Sequence, residues 1–470
     1  MTTPPPAHAA LRRAFDAATE WIDGIDHRSV AAIASAADLR ARMHIALEHE
    51  GVDPTRIIDE LVEMTRGGLH ASVSGRFFAW VIGGTMPATL AADWLTSAWD
   101  QNAAIYSTAP AAAVVEEVAG AWMLDVLDLP RDASFAFTTG CQLAHFTALA
   151  AARHAVVTRA GWNLSRDGLF GAPAIRVITS EHRHGSIDRA IRFLGIGTSA
   201  VRALDTNRFG SIEAHTLSAA LEEHTGPTIV VLDAADLNIG AFDDFATLIP
   251  LAQAAGAWVH IDGAFGLIAR ASASTRPLLN GVHLADSWAT DAHKWLNVPQ
   301  DCGFAAVRDR EAHRAAMTHS AAYIEEDTDV RSQIDWNPER SRRARGFTVF
   351  AALRELGHDG LEALIDRTCA HCHALVTGIG ALNGAEVVWE PRLNQGLVRF
   401  LDSRDGATNA DHDRRTDAVI AQVNASGEAF FSGTKWQGRR AMRVSVVNWR
   451  TNTVDVARSI AAVAAVLHAG

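Results

Sequence analysis

The chain has 470 residues and almost no lysine: Lys294 and Lys435 stand alone against forty arginines. Arginine does not surrender its charge, so chemistry that needs a neutral amine to attack a carbonyl falls to one of those two positions. Cysteine is nearly as scarce, at four, which excludes a disulfide framework and fits a reducing cytoplasm. No apolar run approaches the roughly 18 residues that a bilayer span needs. A formal charge of −12 argues against a protein whose main task is to hold nucleic acid or an anionic membrane surface. The opening Met-Thr-Thr-Pro-Pro-Pro has no charged stretch leading into an apolar one, so secretion is not expected and a cytoplasmic location is. Tyrosine occurs twice, at Tyr106 and Tyr323.

What is present is enough apolar sequence, 48%, to build two or three packed domains. Residues 1–75 read as a helical arm, with helices at 11–23, 35–50 (Asp38 in its first turn) and 54–67, the last capped by Asp53 before Pro54 and stopped at Gly67-Gly68. These helices are too thin to form a core alone and are expected to lie over another domain or subunit. Residues 76–345 alternate short apolar runs with helical ones, the signature of βα units around a mainly parallel sheet. Strands are expected at 134–138, 175–179, 228–232, 258–261 and 304–307, with helices at 143–158, 212–223 and 245–255. Residues 346–470 read as a smaller α/β domain: helical runs at 347–355 and 361–379, strands at 397–400 and 442–447, and a closing helix from 454.

Ligands of open α/β sheets gather at the carboxyl ends of the strands, so the residues just after each one carry the chemistry. After 134–138 comes Thr139-Gly140-Cys141-Gln142, a small-residue turn opening a helix. Free backbone N–H groups and a positive dipole end suit a phosphate there, although an ordinary βα turn looks the same. After 175–179 comes His182-Arg183-His184, a pair that chance supplies readily among 21 histidines. No metal site is assigned to it. Asp262 ends the strongly apolar His260-Ile261-Asp262 strand and is costly to ionise without a cationic or N–H partner; its alternative is a helix cap. Asp291-Ala292-His293-Lys294 is followed by Trp295 and Leu296, a setting in which desolvation is expected to lower the ammonium pKa and free the amine. Lys435 lies in a polar, turn-like stretch and reads as a solvated hairpin residue. A phosphate turn, a histidine able to stack, an acid able to face a pyridinium nitrogen and a desolvated lysine are together the parts of a pyridoxal phosphate (PLP) site.

The stretch 260–307 closely resembles the lysine region of the group II PLP-dependent amino acid decarboxylases, which include the aromatic-amino-acid and glutamate decarboxylases. The likeness rests on His260-Ile261-Asp262-Gly263-Ala264-Phe265, Leu279-Asn280-Gly281-Val282, Ala285-Asp286-Ser287, His293-Lys294-Trp295 and Asp301-Cys302. It extends to Arg76-Phe77-Phe78-Ala79-Trp80, to 140–153, to 184–189, to Phe242-Asp243, to 342–345 and to Trp449-Arg450-Thr451. It implies an aspartate-aminotransferase-like (fold type I) enzyme in a homodimer with active sites at the interface, decarboxylating an L-amino acid. By the same likeness Lys294 forms the imine with the cofactor, Asp262 pairs with the ring nitrogen, Ala264 packs beneath the ring and His184 stacks above it. Gly140, Cys141, Gln142 and His293 fall on the cofactor's phosphate side, and Asp291 is among the cofactor-binding residues. Phe78, Trp80, Ile105 and Tyr106 fall where relatives line the side-chain pocket, which favours an aromatic or bulky substrate, with core packing the alternative for Phe78.

Two departures stand out. The loop 327–340, where relatives carry a tyrosine that protonates the product, has none; Tyr323 lies just upstream and reads as a loop anchor, with a catalytic role reached from the partner subunit the alternative. Relatives without that tyrosine can form aldehydes oxidatively, so other PLP chemistry, or a catalytically silent PLP-fold protein, remains the alternative. Asp236 stands where relatives have threonine near the cofactor. Asp233 and Asp236 read as too loosely placed for a catalytic acid pair. Cys369, Cys372 and His373 match a haem-attachment pattern, but in mid-helix. Arg340, Arg342, Arg343 and Arg345 read as a solvated helix start.

Overall fold

A computed structural model describes residues 8–318 and 330–469. Seven strands make the larger sheet: β1 (Ser134–Thr138), β2 (Arg176–Ser180), β3 (Val201–Leu204), β4 (Thr228–Asp233), β5 (Trp258–Asp262), β6 (Ser287–Asp291) and β7 (Gly303–Val307), in the order β1-β7-β6-β5-β4-β2-β3. Strands β2 to β6 run parallel, and β7 lies antiparallel between β6 and β1. In this sheet the strands expected from apolar runs are present to within a residue. β6 escapes that reading because its sequence, Ser-Trp-Ala-Thr-Asp, is more than half polar, yet every residue of it is buried. Its Ser287 is satisfied internally, by the Trp258 indole and the His260 ring at 2.9 Å each. Buried polar groups with partners do not interrupt a strand, although they erase its apolar signature.

A second, wholly antiparallel sheet holds β8 (Ala385–Trp389), β9 (Gln395–Phe400), β10 (Ser432–Trp436) and β11 (Arg439–Ser445), in the order β10-β11-β9-β8. Phe78 is buried against it, its ring stacked on Phe431 at 5.2 Å, among Val398, Phe400 and Met442. The pocket role expected for Phe78 therefore fails: it is core of the smaller sheet. Lys435 stands exposed on the β10–β11 hairpin, as expected. The helix Gly346–Gly380 breaks at Gly357, φ 60°, within the gap between the two helical runs of the sequence. Cys372 packs in the core on that helix and His373 is exposed.

The arm holds helices His8–Asp23, Ala36–Met43 and Pro54–Met64. The second starts on a Ser35/Asp38 capping box but ends seven residues short of the expected 50. Beyond Met43 the apolar stripe has nothing to pack on: Ile45 is 63% and Leu47 99% exposed, and a short helix without a packing surface does not persist.

The arginines at 342–345 are not a solvated helix start. Arg342 is buried against Glu116, 2.8 Å away, and also donates to the Phe137 carbonyl of β1. Arg343 pairs with Asp93 at 2.6 Å and Arg345 with Asp301 at 3.0 Å. This segment ties the helix Gly346–Gly380 to the sheet edge that bears the Gly140 turn.

Candidate active site

Parallel strands deliver their carboxyl ends to one side of the sheet, and here three end in aspartate. Asp233 closes β4 in register with Asp262, which closes β5, and Asp291 closes β6. The loop after β2 adds His182 and His184. Of these, His182, His184, Asp233 and Asp262 line a cavity of about 230 Å³ whose wall also includes Trp80, Val81, Ala235, Asp236, Leu237, Ala264, Phe265, Lys294 and Arg443.

Lys294 Nζ lies 3.0 Å from Asp291 Oδ2. Burial works against the ammonium, but the charges of Asp291 and its neighbours outweigh it, and the lysine pKa is raised. This reverses the lowering expected from desolvation alone. The sequence showed the apolar Trp295 and Leu296 but not that Asp291, one turn back, folds onto the amine.

Asp262 is buried, and burial by itself would raise its pKa. His145, His184 and Lys294 overcome that, and the carboxyl is held below its usual range. His145 Nε2 is 3.4 Å from its Oδ1. Asp233, with burial and the charges of Asp243 and Asp262 all acting in one direction, is raised well above the usual range. Neighbouring acids thus divide into one that favours the ionised form and one that favours the acid, the arrangement expected when like charges crowd together. His184 opens to the cavity; its Nδ1 faces Ser186 Oγ at 2.7 Å and the Ser186 N–H at 3.2 Å. Accepting that N–H leaves Nε2 protonated and the ring fixed.

The turn before the helix Cys141–Arg159 sits beside the lysine segment. Gly140 has φ 143°, and a Cβ there would lie 3.4 Å from His293 Cε1. His293 Nδ1 is within 2.9 Å of the Cys302 carbonyl. Cys141 is less suited to an anion than expected: its N–H donates to Asp291 Oδ1 at 2.5 Å, and its thiol turns to His145 Nε2 at 3.3 Å. Gln142, by contrast, has a buried amide nitrogen with no protein partner, and Asp236 has such a carboxylate oxygen. A lysine amine, an ionised acid and an imidazole on one cavity fit PLP, whose phosphate the Gly140–Gln142 turn and His293 would serve.

The structure brings Gly140, Cys141, His184, Asp262, Ala264, Asp291, His293 and Lys294 together. Of the expected pocket residues Trp80 lines the cavity, at φ 55° and half-exposed. Ile105 and Tyr106 lie at a separate 3-10 turn, beside Ala104, which accepts from the Ile334 N–H, and do not line it. Tyr323 lies outside the described residues. Sequence reasoning dismissed Asp233 and passed over His145 and Arg443. The first was detectable as an acid at a parallel strand end. The others reach the site from a helix interior and from β11 of the second sheet, which no local pattern signals.

Comparison with known proteins agrees with this geometry. The sequence model of the pyridoxal-dependent decarboxylase conserved domain matches residues 37–401. The L-2,4-diaminobutyrate decarboxylase of Rhizobium meliloti (strain 1021) is 29% identical over 386 residues, covering 79% of this chain and 73% of its own. The aromatic-L-amino-acid decarboxylase of Bacillus atrophaeus is 24% identical, with 93% and 90% covered. The Oryza sativa protein TDC, solved with PLP and tryptamine, superposes with a TM-score of 0.93 at 21% identity over 100% of this chain and 99% of its own, which shows fold type I. Among the described residues no helix is long and apolar enough to cross a membrane. The chain belongs to the pyridoxal-dependent decarboxylase family, the PLP-dependent carboxy-lyases that act on amino acids.

Proposed function

We propose that the chain removes the α-carboxylate of an aromatic or bulky L-amino acid that carries a polar group, working as a cytoplasmic homodimer with Lys294 as the cofactor lysine. The observation that carries this reading is the convergence of Lys294, Asp262 and His184 on one cavity. Bound PLP supplies an imine link to the substrate amine and a conjugated ring that takes up the electron pair left when carbon dioxide departs. Asp262, ionised, would face the ring nitrogen and keep it protonated, with His184 and Ala264 on the two ring faces. Asp291, 3.0 Å from Lys294 Nζ, holds that amine as an ammonium able to give up a proton. Trp80, Val81, Leu237 and Phe265 offer the substrate side chain an apolar wall, while Asp236 and Arg443 offer a polar end. Exposed Leu11, Phe15, Ile57 and Leu61 on the arm support burial against a second copy, which light scattering checks.

The test is a panel of amino acids scored together for carbon dioxide, ammonia, hydrogen peroxide and keto acid. Carbon dioxide with the matching amine is expected; stoichiometric ammonia and peroxide would reject simple decarboxylation. Lys294→Ala is expected to lose the yellow imine band. A band that survives unchanged would reject Lys294.

A further inference from the structure

Behind Asp262, away from the cavity, lies a line of buried polar side chains. His145 Nε2 is 3.4 Å from Asp262 Oδ1; His145 Nδ1 is 2.9 Å from His260 Nε2; His260 Nδ1 is 2.9 Å from Ser287 Oγ; and the Trp258 indole N–H donates to Ser287 Oγ at 2.9 Å. His145, His260, Ser287 and Trp258 are all fully buried, so the line is closed to water. Its elements differ: His145 comes from the helix Cys141–Arg159, His260 and Trp258 from β5, Ser287 from β6.

The chemistry of the end groups orders the protons. An ionised carboxylate only accepts, so His145 Nε2 carries hydrogen. The relay takes His145 with its second ring nitrogen, Nδ1, as the acceptor of a hydrogen carried on His260 Nε2. His260 Nδ1 in turn accepts from the Ser287 hydroxyl, whose lone pair takes the Trp258 N–H, a group that only donates. In that arrangement the line runs one way from Trp258 to Asp262, and the Cys141 sulfur, 3.3 Å from His145 Nε2, is a second neighbour of the same N–H. Burial also holds His260 neutral, its pKa pushed down to about 3.

We propose that His145 is a positioning residue that holds the Asp262 carboxylate ionised and aimed at the cofactor's ring nitrogen through a one-way hydrogen-bond relay from Trp258 via Ser287 and His260. A rival exists on the same atoms, since Cys141, His145 and Asp262 offer ligand atoms within 4.8 Å of one another. A metal there would need His145 Nε2 unprotonated and would take up the carboxylate oxygen that the relay holds. A divalent ion and the relay are mutually exclusive.

The inference rests on Asp262 facing the ring nitrogen, and the experiment separates the two. The protein is freed of cofactor and titrated with PLP labelled with ¹⁵N in the ring, reading the dissociation constant and the pyridinium ¹⁵N signal. His145→Leu is expected to weaken PLP binding by about tenfold or more, the effect of one charge-assisted hydrogen bond, and to shift the signal toward neutral pyridine. His145→Asn, which offers a donor and an acceptor, restores part of both. Ser287→Ala, remote from the cavity, moves both in the same direction by less. Leu and Ala variants with wild-type affinity and signal would overturn the relay while Asp262→Asn still shifts the signal. An unshifted Asp262→Asn would instead overturn the ring-nitrogen assignment. Should His145→Leu fold poorly, Ser287→Ala and His145→Asn carry the test. Stoichiometric metal in the purified wild type, absent from His145→Leu, would overturn the relay in favour of a metal site.

Discussion

Replacing Glu116 by leucine is expected to destabilise the protein severely and to loosen the cofactor, although Glu116 touches neither cavity nor ligand. Glu116 and Arg342 are both fully buried, the guanidinium reaching the two carboxylate oxygens at 2.8 and 3.1 Å. Leucine roughly preserves volume, so the main effect is an uncompensated buried cation, which costs about 3–5 kcal/mol. Arg342 keeps its bonds to the carbonyls of Ala103 and Phe137, at 3.0 and 2.7 Å, which places the loss toward the lower end. Against a total stability of about 5–15 kcal/mol that is a large share. Phe137 lies three residues before Gly140, so movement of the freed arginine is transmitted to the turn assigned to the phosphate. Equilibrium urea unfolding, followed by tryptophan fluorescence and by the imine band, reads both effects. The double variant Glu116→Leu/Arg342→Met is expected to recover about a third of that loss or more, since about 1 kcal/mol remains for each of the two carbonyls left without its donor. A single-variant loss below about 1 kcal/mol, or a double variant no better than the single, would refute the reasoning.

Two further outcomes follow from packing and burial. A Cβ on Gly303 would lie 2.4 Å from the Gly140 carbonyl carbon, and one on Gly83 would lie 1.9 Å from the Lys294 carbonyl oxygen. Overpacking of this kind costs about 1–3 kcal/mol, so Gly303→Ala is expected to weaken PLP binding by up to about 5- to 160-fold, and Gly83→Ala to reduce the imine band at saturating PLP; titration of the cofactor-free protein checks both. His313 is buried between Ser134 Oγ and the Trp336 carbonyl, and burial pushes its pKa down to about 3. Between that value and the ordinary 6.5 the unfolded chain binds a proton that the folded chain refuses. Stability is therefore lost as pH falls through this window, by about 1.4 kcal/mol per unit for this group. His313→Gln is expected to flatten the slope by that amount in urea unfolding at pH 5 and 6; an unchanged slope would reject it.

Where burial followed from apolar runs, local reading worked: the parallel strands β2, β4 and β5 and the two halves of the helix Gly346–Gly380 were legible. It failed where polar groups are buried with partners, as in β6, and where an apolar stripe has nothing to cover it, as beyond Met43. Phe78 shows the same limit from the other side, since an aromatic fits a pocket and a core equally well until its neighbours are known. The Arg342–Arg345 segment looked solvated because charge is normally exposed, and only the fold brought Glu116, Asp93 and Asp301 to it.

By itself the sequence determined which residues could do the chemistry. With two lysines in the chain, and one of them on a polar hairpin, amine chemistry had a single address at Lys294, and the acids and histidines at strand ends supplied its neighbours. Tertiary structure decided their states. Asp291 keeps the Lys294 ammonium charged, Asp233 favours its proton beside an ionised Asp262, and His145 backs Asp262 from within a helix. Charge states depend on distances of a few ångströms between residues far apart in sequence, and the Coulomb energy that sets them does not exist until the strands are side by side.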